Sequence, residues 1–165
     1  MTDPAALTGP SGYFEDFTAG QRMRHARGAT VGEVENNFIS KQVMNTAQAH
    51  WNEHYLAGGA LGAGRLVFGL VTASIVFGLA SQDVAEQALA EVGCSGLRFR
   101  APVHHGDTLY AFTEVLDVAP SDRPDAGVVR FKHWGMTHDD RLVFEGERTV
   151  LVKRRSHWTG EGSRS

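Results

Sequence analysis

The spacing of apolar positions changes along this chain of 165 residues, and each change marks a different element. From Val34 to about Tyr55, the residues Met44, Ala47, Trp51 and Tyr55 recur at intervals of three and four, with Val43 alongside. That spacing predicts one long helix with an apolar stripe. The run 66–80, LVFGLVTASIVFGLA, is apolar on almost every side and predicts a second helix, buried all round. Its fifteen residues fall short of the roughly twenty that a membrane span needs. Upstream, GYFEDFTAGQRMRHARGATV predicts an aromatic turn and then a polar strand. Downstream, CSGLRFRAPV, TLYAFTEVLDVA, VVRFKHWGMTH and RLVFEGERTVLVKRR read as strands. Gly106-Asp107, the Pro-Asp-Ala-Gly stretch at 124–127 and Asp139-Asp140 supply the turns between them. The order is strand, long helix, apolar helix, then three long consecutive antiparallel strands. It predicts an α+β fold: a single domain over 12–157 with a curved antiparallel sheet wrapped around a central helix. Residues 1–11 and 158–165 read as disordered tails.

Between the two helices AGGALGAG (57–64) breaks the pattern. A glycine-rich loop can cradle phosphate, but no Gly-Lys-Ser/Thr follows, and a mobile turn is the simpler reading. The formal charge of -3 leaves no electrostatic footprint for nucleic acid. A single cysteine, Cys94, excludes a disulfide framework and points to a reducing cytoplasm, as a core or near-surface thiol. The opening MTDPAALTGPSG lacks the basic start and apolar run of a signal peptide, so neither export nor a membrane is expected.

The first candidate for chemistry is His50-Trp51-Asn52-Glu53-His54. It fits H-x-x-E-H, the helix motif in which two histidines hold zinc and a glutamate activates water. Tetrahedral zinc needs a third protein ligand, and neither Glu91, Glu145 nor Glu147 is marked as one, so no metal is expected. Two other readings stand beside it. His50 and His54 could be partly buried helix residues bonded to backbone. Alternatively, the imidazole and carboxylate crowded into one turn beside a glycine-rich break form an acid–base site.

The assembled stretches resemble the MaoC-like dehydratase family, which includes the (R)-specific enoyl-CoA hydratases. YFEDFTAGQ resembles that family's opening, and GRLVFGLVTASIVFGL its Gly-Arg-Ile-Val-His-Gly segment with the Ser-bearing apolar helix that follows. GLRFRAPVHHGDTLYAFTEV is similar to its Phe-x-x-Pro-Val-x-x-Gly-Asp strand pair, and FEGERTVLVKRR to its closing strand. The resemblance spans roughly 12–155. It implies a hotdog fold, a homodimer or dimer-based oligomer, and acyl-CoA bound in tunnels between subunits. The family's hydratase motif is Asp-x-Asn-Pro-x-His, whose Asp and His hold the water that is added. Aligned on Trp51-Asn52, this chain has His50 in place of Asp, Glu53 in place of Pro and Tyr55 in place of His. The usual dyad is therefore absent, and His50 with Glu53 reads as a rearranged one. The stretch NTAQAHWNEH is similar to one branch of the family, the mesaconyl-CoA and itaconyl-CoA hydratase-like proteins, which act on short branched dicarboxylic thioesters.

Hydration of an enoyl thioester needs a base for water, an acid for the α-carbon and donors for the thioester oxygen, but no cofactor beyond the CoA of the substrate. The family's roles do not carry over by position, but a His–Glu pair suits the first two tasks. His50 and Glu53 are three residues apart on the expected helix, with His54 orienting the pair and Asn52 and Tyr55 beside the substrate. Tyr55 and Asn45 are the alternatives to the dyad. The start of the apolar helix would serve the third, with Gly69 permitting close approach and Ser74 either beside the substrate or packed in its helix. Arg65 would fork the second carboxylate, while Arg98 and Arg100 would meet CoA phosphates; a solvated surface charge is the alternative for each. His104 and His105 read as turn residues. Two other functions remain open: a hotdog thioesterase using Glu53 or Asp83, and a non-catalytic acyl-CoA-binding protein.

Overall fold

The computed structural model describes residues 12–57 and 64–158, and the two expected tails and most of the glycine-rich turn lie outside them. Strands β1 (Arg22–Thr30), β2 (Ala88–Phe99), β3 (Thr108–Pro120), β4 (Ala126–Thr137) and β5 (Leu142–Lys153) form one sheet in the order β1-β3-β4-β5-β2. Every pairing is antiparallel. Helices α1 (Glu33–Gln42), α2 (Glu53–Leu56), α3 (Gly69–Val84) and α4 (Arg155–Trp158) complete the described residues. α3 lies against β1, β3, β4 and β5, so the expected α+β arrangement, a sheet around a central helix, is the one found. Trp158, assigned to a disordered tail, instead ends α4 and donates from Nε1 to Asp125 O at 3.2 Å. β2 begins six residues earlier than Cys94 and pairs with β5, not with the β3 that follows it. Cys94 is exposed on this edge strand. Among the described residues no helix is long and apolar enough to cross a membrane.

α3 is not buried all round as its composition predicts: Leu70, Ser74, Gly78 and Gln82, at four-residue steps, form an exposed face, and the opposite face packs on the sheet. Val76, Ala80 and Val84 follow one another at four-residue steps and are fully buried. Gly135 on β4 makes room for this: a Cβ there would lie 2.5 Å from Val76 Cγ2. The core under α3 has two halves. Val71 and Val76 pack with Leu109, Ala111, Val143 and Phe144, while Ala80 and Val84 pack with Val115, Val129, Phe131, Val150 and Val152.

A polar row runs across the sheet between the two halves. His25 on β1 meets Asp83 Oδ2 through Nδ1 at 2.6 Å and Thr113 Oγ1 through Nε2 at 2.7 Å. Thr113 Oγ1 also meets His133 Nδ1 at 2.8 Å. On β5, Arg148 donates from Nε to both oxygens of Glu91, at 3.0 and 3.1 Å, and its guanidinium lies over the Phe77 ring that packs edge-on against His133. Burial, then the nearby Arg148 and His25, push the His133 imidazole down to about 3.

The segment after α1 departs from the expected long helix. α1 ends at Gln42, Met44 adopts a left-handed φ of 53°, and Asn45 Oδ1 accepts from Ala47 N–H at 2.9 Å. A 3-10 turn over Gln48–His50 follows, and Asn52 caps α2 by accepting from Tyr55 N–H at 3.0 Å. The two asparagines offer the backbone local acceptors that compete with a continuous helix. The apolar stripe of Val43, Met44, Trp51 and Tyr55 is accordingly exposed, not buried. α1 itself is inverted: Asn36 and Ser40 face inward while Val34 and Phe38 face out.

His133 makes stability depend on pH in a defined direction. Below about 6.5 its imidazole in the unfolded chain takes up a proton that the folded one refuses until about 3. The unfolded state then binds more protons, so stability falls as the pH drops through that window, by about 1.4 kcal/mol per unit. Urea titrations of wild type and His133→Gln should therefore show a stability difference that shrinks at about this slope below pH 6.5. A difference independent of pH would contradict the assignment.

Candidate active site

Four segments remote in sequence meet at the start of α3, and one buried carboxamide joins them. Asn36, on the inward face of α1, accepts from Phe68 N–H through Oδ1 at 2.8 Å. Its Nδ2 lies 3.1 Å from His50 O, 3.2 Å from Leu66 O and 3.2 Å from His105 Nε2. The orientation of the amide follows from its partners, because a backbone N–H can only donate and the two carbonyls can only accept. Leu66 is also bridged to His104, and Val67 N–H donates to Val103 O at 2.8 Å, which binds the entry to α3 to the β2–β3 connection.

His50 ends the 3-10 turn and stacks beside Phe68 with ring centroids 5.3 Å apart. Its Nδ1 lies 3.1 Å from Leu66 O. A carbonyl oxygen cannot donate, so Nδ1 carries the hydrogen of this bond and Nε2 is left with its lone pair. Phe68 is the N-cap of α3, with its carbonyl accepting from Val71 and Thr72. The N–H groups of Gly69 and Leu70 thus stand at the positive end of α3 without an intrahelical acceptor.

Glu53 is elsewhere. It begins α2, past Trp51 and Asn52, and its Oε1 lies 3.2 Å from Arg65 Nε, while Arg65 Nη2 pairs with Glu33. Among the described residues no hydrogen bond joins His50 to Glu53, and the shared helix that made them neighbours does not exist. His54 and Tyr55 are exposed on α2. The three H-x-x-E-H side chains therefore do not converge, and no cluster of three metal-ligating side chains occurs among the described residues. Asn52 spends its carboxamide on its own turn, accepting from Tyr55 and donating to Gln48 Oε1.

The other expected residues divide. Arg65 is nearly buried between two carboxylates, so its charge is already matched and it does not present a free fork. Arg98 is exposed on β2. Arg100 lines a cleft of about 350 Å³ at the start of α3, formed by Leu66, Val67, Gly69, Thr72 and the stretch Phe99–Val103. It is the one charged residue of that lining, and its Nε donates to Glu145 Oε1 at 2.5 Å. This bond holds the Glu145 carboxyl below its usual range. Gly69 permits a close approach, but of Phe99: a Cβ there would lie 2.9 Å from the ring. Ser74 Oγ donates back to Leu70 O at 2.8 Å on the exposed side of α3. Asp83 is held by His25 at the far end of α3, well away from the cleft. His105 is more than a turn residue: burial, then Arg65 and His104, lower its pKa, against Glu53 and Glu35, which raise it. Asn36 and His105 were not expected from the sequence; the inward pairing of Asn36 with Ser40, four residues on, is the signal that would have found the first.

A family model described as mesaconyl-CoA hydratase matches residues 4–154. The mesaconyl-CoA hydratase of Haloarcula marismortui is 33% identical over 163 residues, covering 92% of this chain and 45% of that protein. A MaoC-domain dehydratase structure from Chloroflexus aurantiacus superimposes with a TM-score of 0.82 at 26% identity, covering 93% of this chain and 49% of that one. A Mycobacterium tuberculosis protein described as having a double hotdog fold gives a TM-score of 0.79 at 27% identity, covering 92% and 46%. The chain thus spans about half the length of each of these relatives. With its hotdog sheet, its central helix and a match over nearly its whole described length, the chain belongs to the mesaconyl-CoA hydratase family of MaoC-like hotdog proteins.

Proposed function

We propose that this chain catalyses the reversible addition of water to an α,β-unsaturated acyl-CoA thioester, with a branched dicarboxylic acyl group of the mesaconyl type and no cofactor beyond the CoA of the substrate. The observation that carries this reading is the hydrogen bond from His50 Nδ1 to Leu66 O. It leaves Nε2 as a base beside the positive end of α3. Nε2 takes a proton from water as the oxygen attacks the β-carbon. The N–H groups of Gly69 and Leu70 hold the thioester oxygen as it gains enolate charge. The same imidazole returns the proton to the α-carbon, so protons balance without a second acid.

The motif register supports His50 over the His50–Glu53 pair. Counted from Asn45, the positions Asn45–His50 have the spacing of Asp-x-Asn-Pro-x-His, with Asn45 at the Asp position and His50 at the His position. Counted from His50 instead, the His position falls on Tyr55, which is exposed. In this register the family's carboxylate is replaced by a carboxamide that shapes the 48–50 turn, and the base is the imidazole alone. Arg100 is the charged residue of an otherwise uncharged cleft, and the second carboxylate of the acyl group would take it in exchange for Glu145, which holds its Nε and Nη2 in the free protein.

The outward apolar face of α1 supports a partner, and a second copy of the chain fits it. Val34, Phe38 and Val43 are 77%, 61% and 56% exposed on this side, where large apolar side chains would otherwise face water.

Two outcomes follow from this reading. The wild type should remove enoyl absorbance from mesaconyl-CoA without releasing free thiol. His50→Ala should lower kcat by about 10²–10⁴-fold, the usual loss for a positioned base. Glu53→Gln, which removes a carboxylate that pairs with Arg65 away from His50, should cost less than about tenfold, below that range. Equal losses in both variants would restore the dyad, and thiol release would make the chain a thioesterase. Separately, sedimentation at micromolar concentration should show a dimer that Phe38→Asp converts to monomer. A wild type that is a fully active monomer would remove the second copy.

A further inference from the structure

The described residues contain one buried polar group that contacts every segment of the candidate site and none of the solvent. Asn36 is 0% exposed, and its four partners come from the 3-10 turn, from both sides of the entry to α3, and from the β2–β3 connection. We propose that Asn36 is the positioning residue of this site, a single carboxamide that holds the His50 backbone and the start of α3 in register, with His105 as the acceptor that completes its bonding. The proposal rests on the reading of His50 as the base.

The geometry explains why a carboxamide is needed. Oδ1 must accept from Phe68 N–H, and the opposite end must donate to the carbonyls of His50 and Leu66. No other side chain of that size does both. Leu66 O receives Asn36 Nδ2 and His50 Nδ1 together, so displacement of the amide releases the carbonyl that fixes the His50 tautomer. His105 Nε2 faces Nδ2 as an acceptor and can do so only while it is unprotonated. Arg65 and His104 oppose its protonation, and Glu53 and Glu35 favour it, with burial the largest influence against. As the pH falls and His105 gains its proton, two donors face each other and the clamp loses one partner.

Asn36→Asp is the test, because it keeps shape and the bond to Phe68 N–H while turning a donor into an acceptor. The variant should remain folded by circular dichroism, with KM for mesaconyl-CoA near that of wild type. Its kcat should fall by up to about 10²-fold, the size of loss that a misplacement of about 1 Å produces. The new carboxylate beside Nε2 should also raise the pH at which His105 titrates by NMR, which reports the contact, and the His50 Nδ1–H signal should be lost to exchange, a change that a merely structural role would not produce. As a second arm, His105→Gln, which keeps an acceptor for Nδ2, should retain kcat, whereas His105→Leu should lose part of it. Unchanged kcat and an unchanged His50 Nδ1–H signal in Asn36→Asp would overturn the proposal, as would identical behaviour of His105→Gln and His105→Leu. If Asn36→Asp does not fold, the His105 pair decides alone. A wild type that hydrates no enoyl-CoA would defeat the functional reading instead, and the His50 and His105 NMR signals in Asn36→Asp would still decide the positioning role.

Discussion

Burying the apolar face of α3 against one face of one sheet is the constraint from which the rest of the structure follows. Its middle is accommodated by Gly135 and the two halves of the core. Its ends raise a different problem, since the first N–H groups of a helix have no partners within it. The chain folds α1, the 48–50 turn and the β2–β3 connection over residues 66–68, which partners the N–H groups of Leu66, Val67 and Phe68 and leaves those of Gly69 and Leu70 to a ligand. Buried backbone groups at this entry require partners, and Asn36 on the inward side of α1 supplies them. The site is thus a consequence of covering a helix start, and its reactive group is the imidazole that this cover carries.

A similar demand is met at the seam between the core halves. His25, Thr113 and His133 bond in series across three strands, and Asp83 anchors the row from α3. A row of this kind replaces apolar contact with directional bonds, which fixes the register of the strands against α3 while exposing the fold to acid through His133.

Much of this was legible in the sequence, for identifiable reasons. β3, β4 and β5 alternate with period two between strong turn signals, and α3 is too long and too uniformly apolar to be a strand. The seam could have been read as well, since His133 falls on the same parity as the buried Val129 and Phe131. The long helix over 34–55 was not legible, because its three-four spacing was a coincidence of exposed residues. Asn45 and Asn52 each close a local turn, and Met44 adopts a left-handed backbone, so that region breaks into three short pieces. The supposed neighbours His50 and Glu53 were a consequence of that helix and separated with it. Arg65 failed as a carboxylate fork for a similar reason: the broken chain brings Glu33 and Glu53 to it first, which leaves Arg100 in the cleft.

The account depends on one proton. If the Leu66 carbonyl fixes His50, its imidazole carries hydrogen on Nδ1 and presents Nε2 as the acceptor. A long-range proton–nitrogen correlation spectrum of the histidine side chains in the wild-type protein, recorded at alkaline pH and assigned with His50→Ala, reads this directly. The account predicts a protonated Nδ1 and an unprotonated Nε2 signal for His50. An Nε2–H tautomer, or rapid exchange between the two, would contradict it.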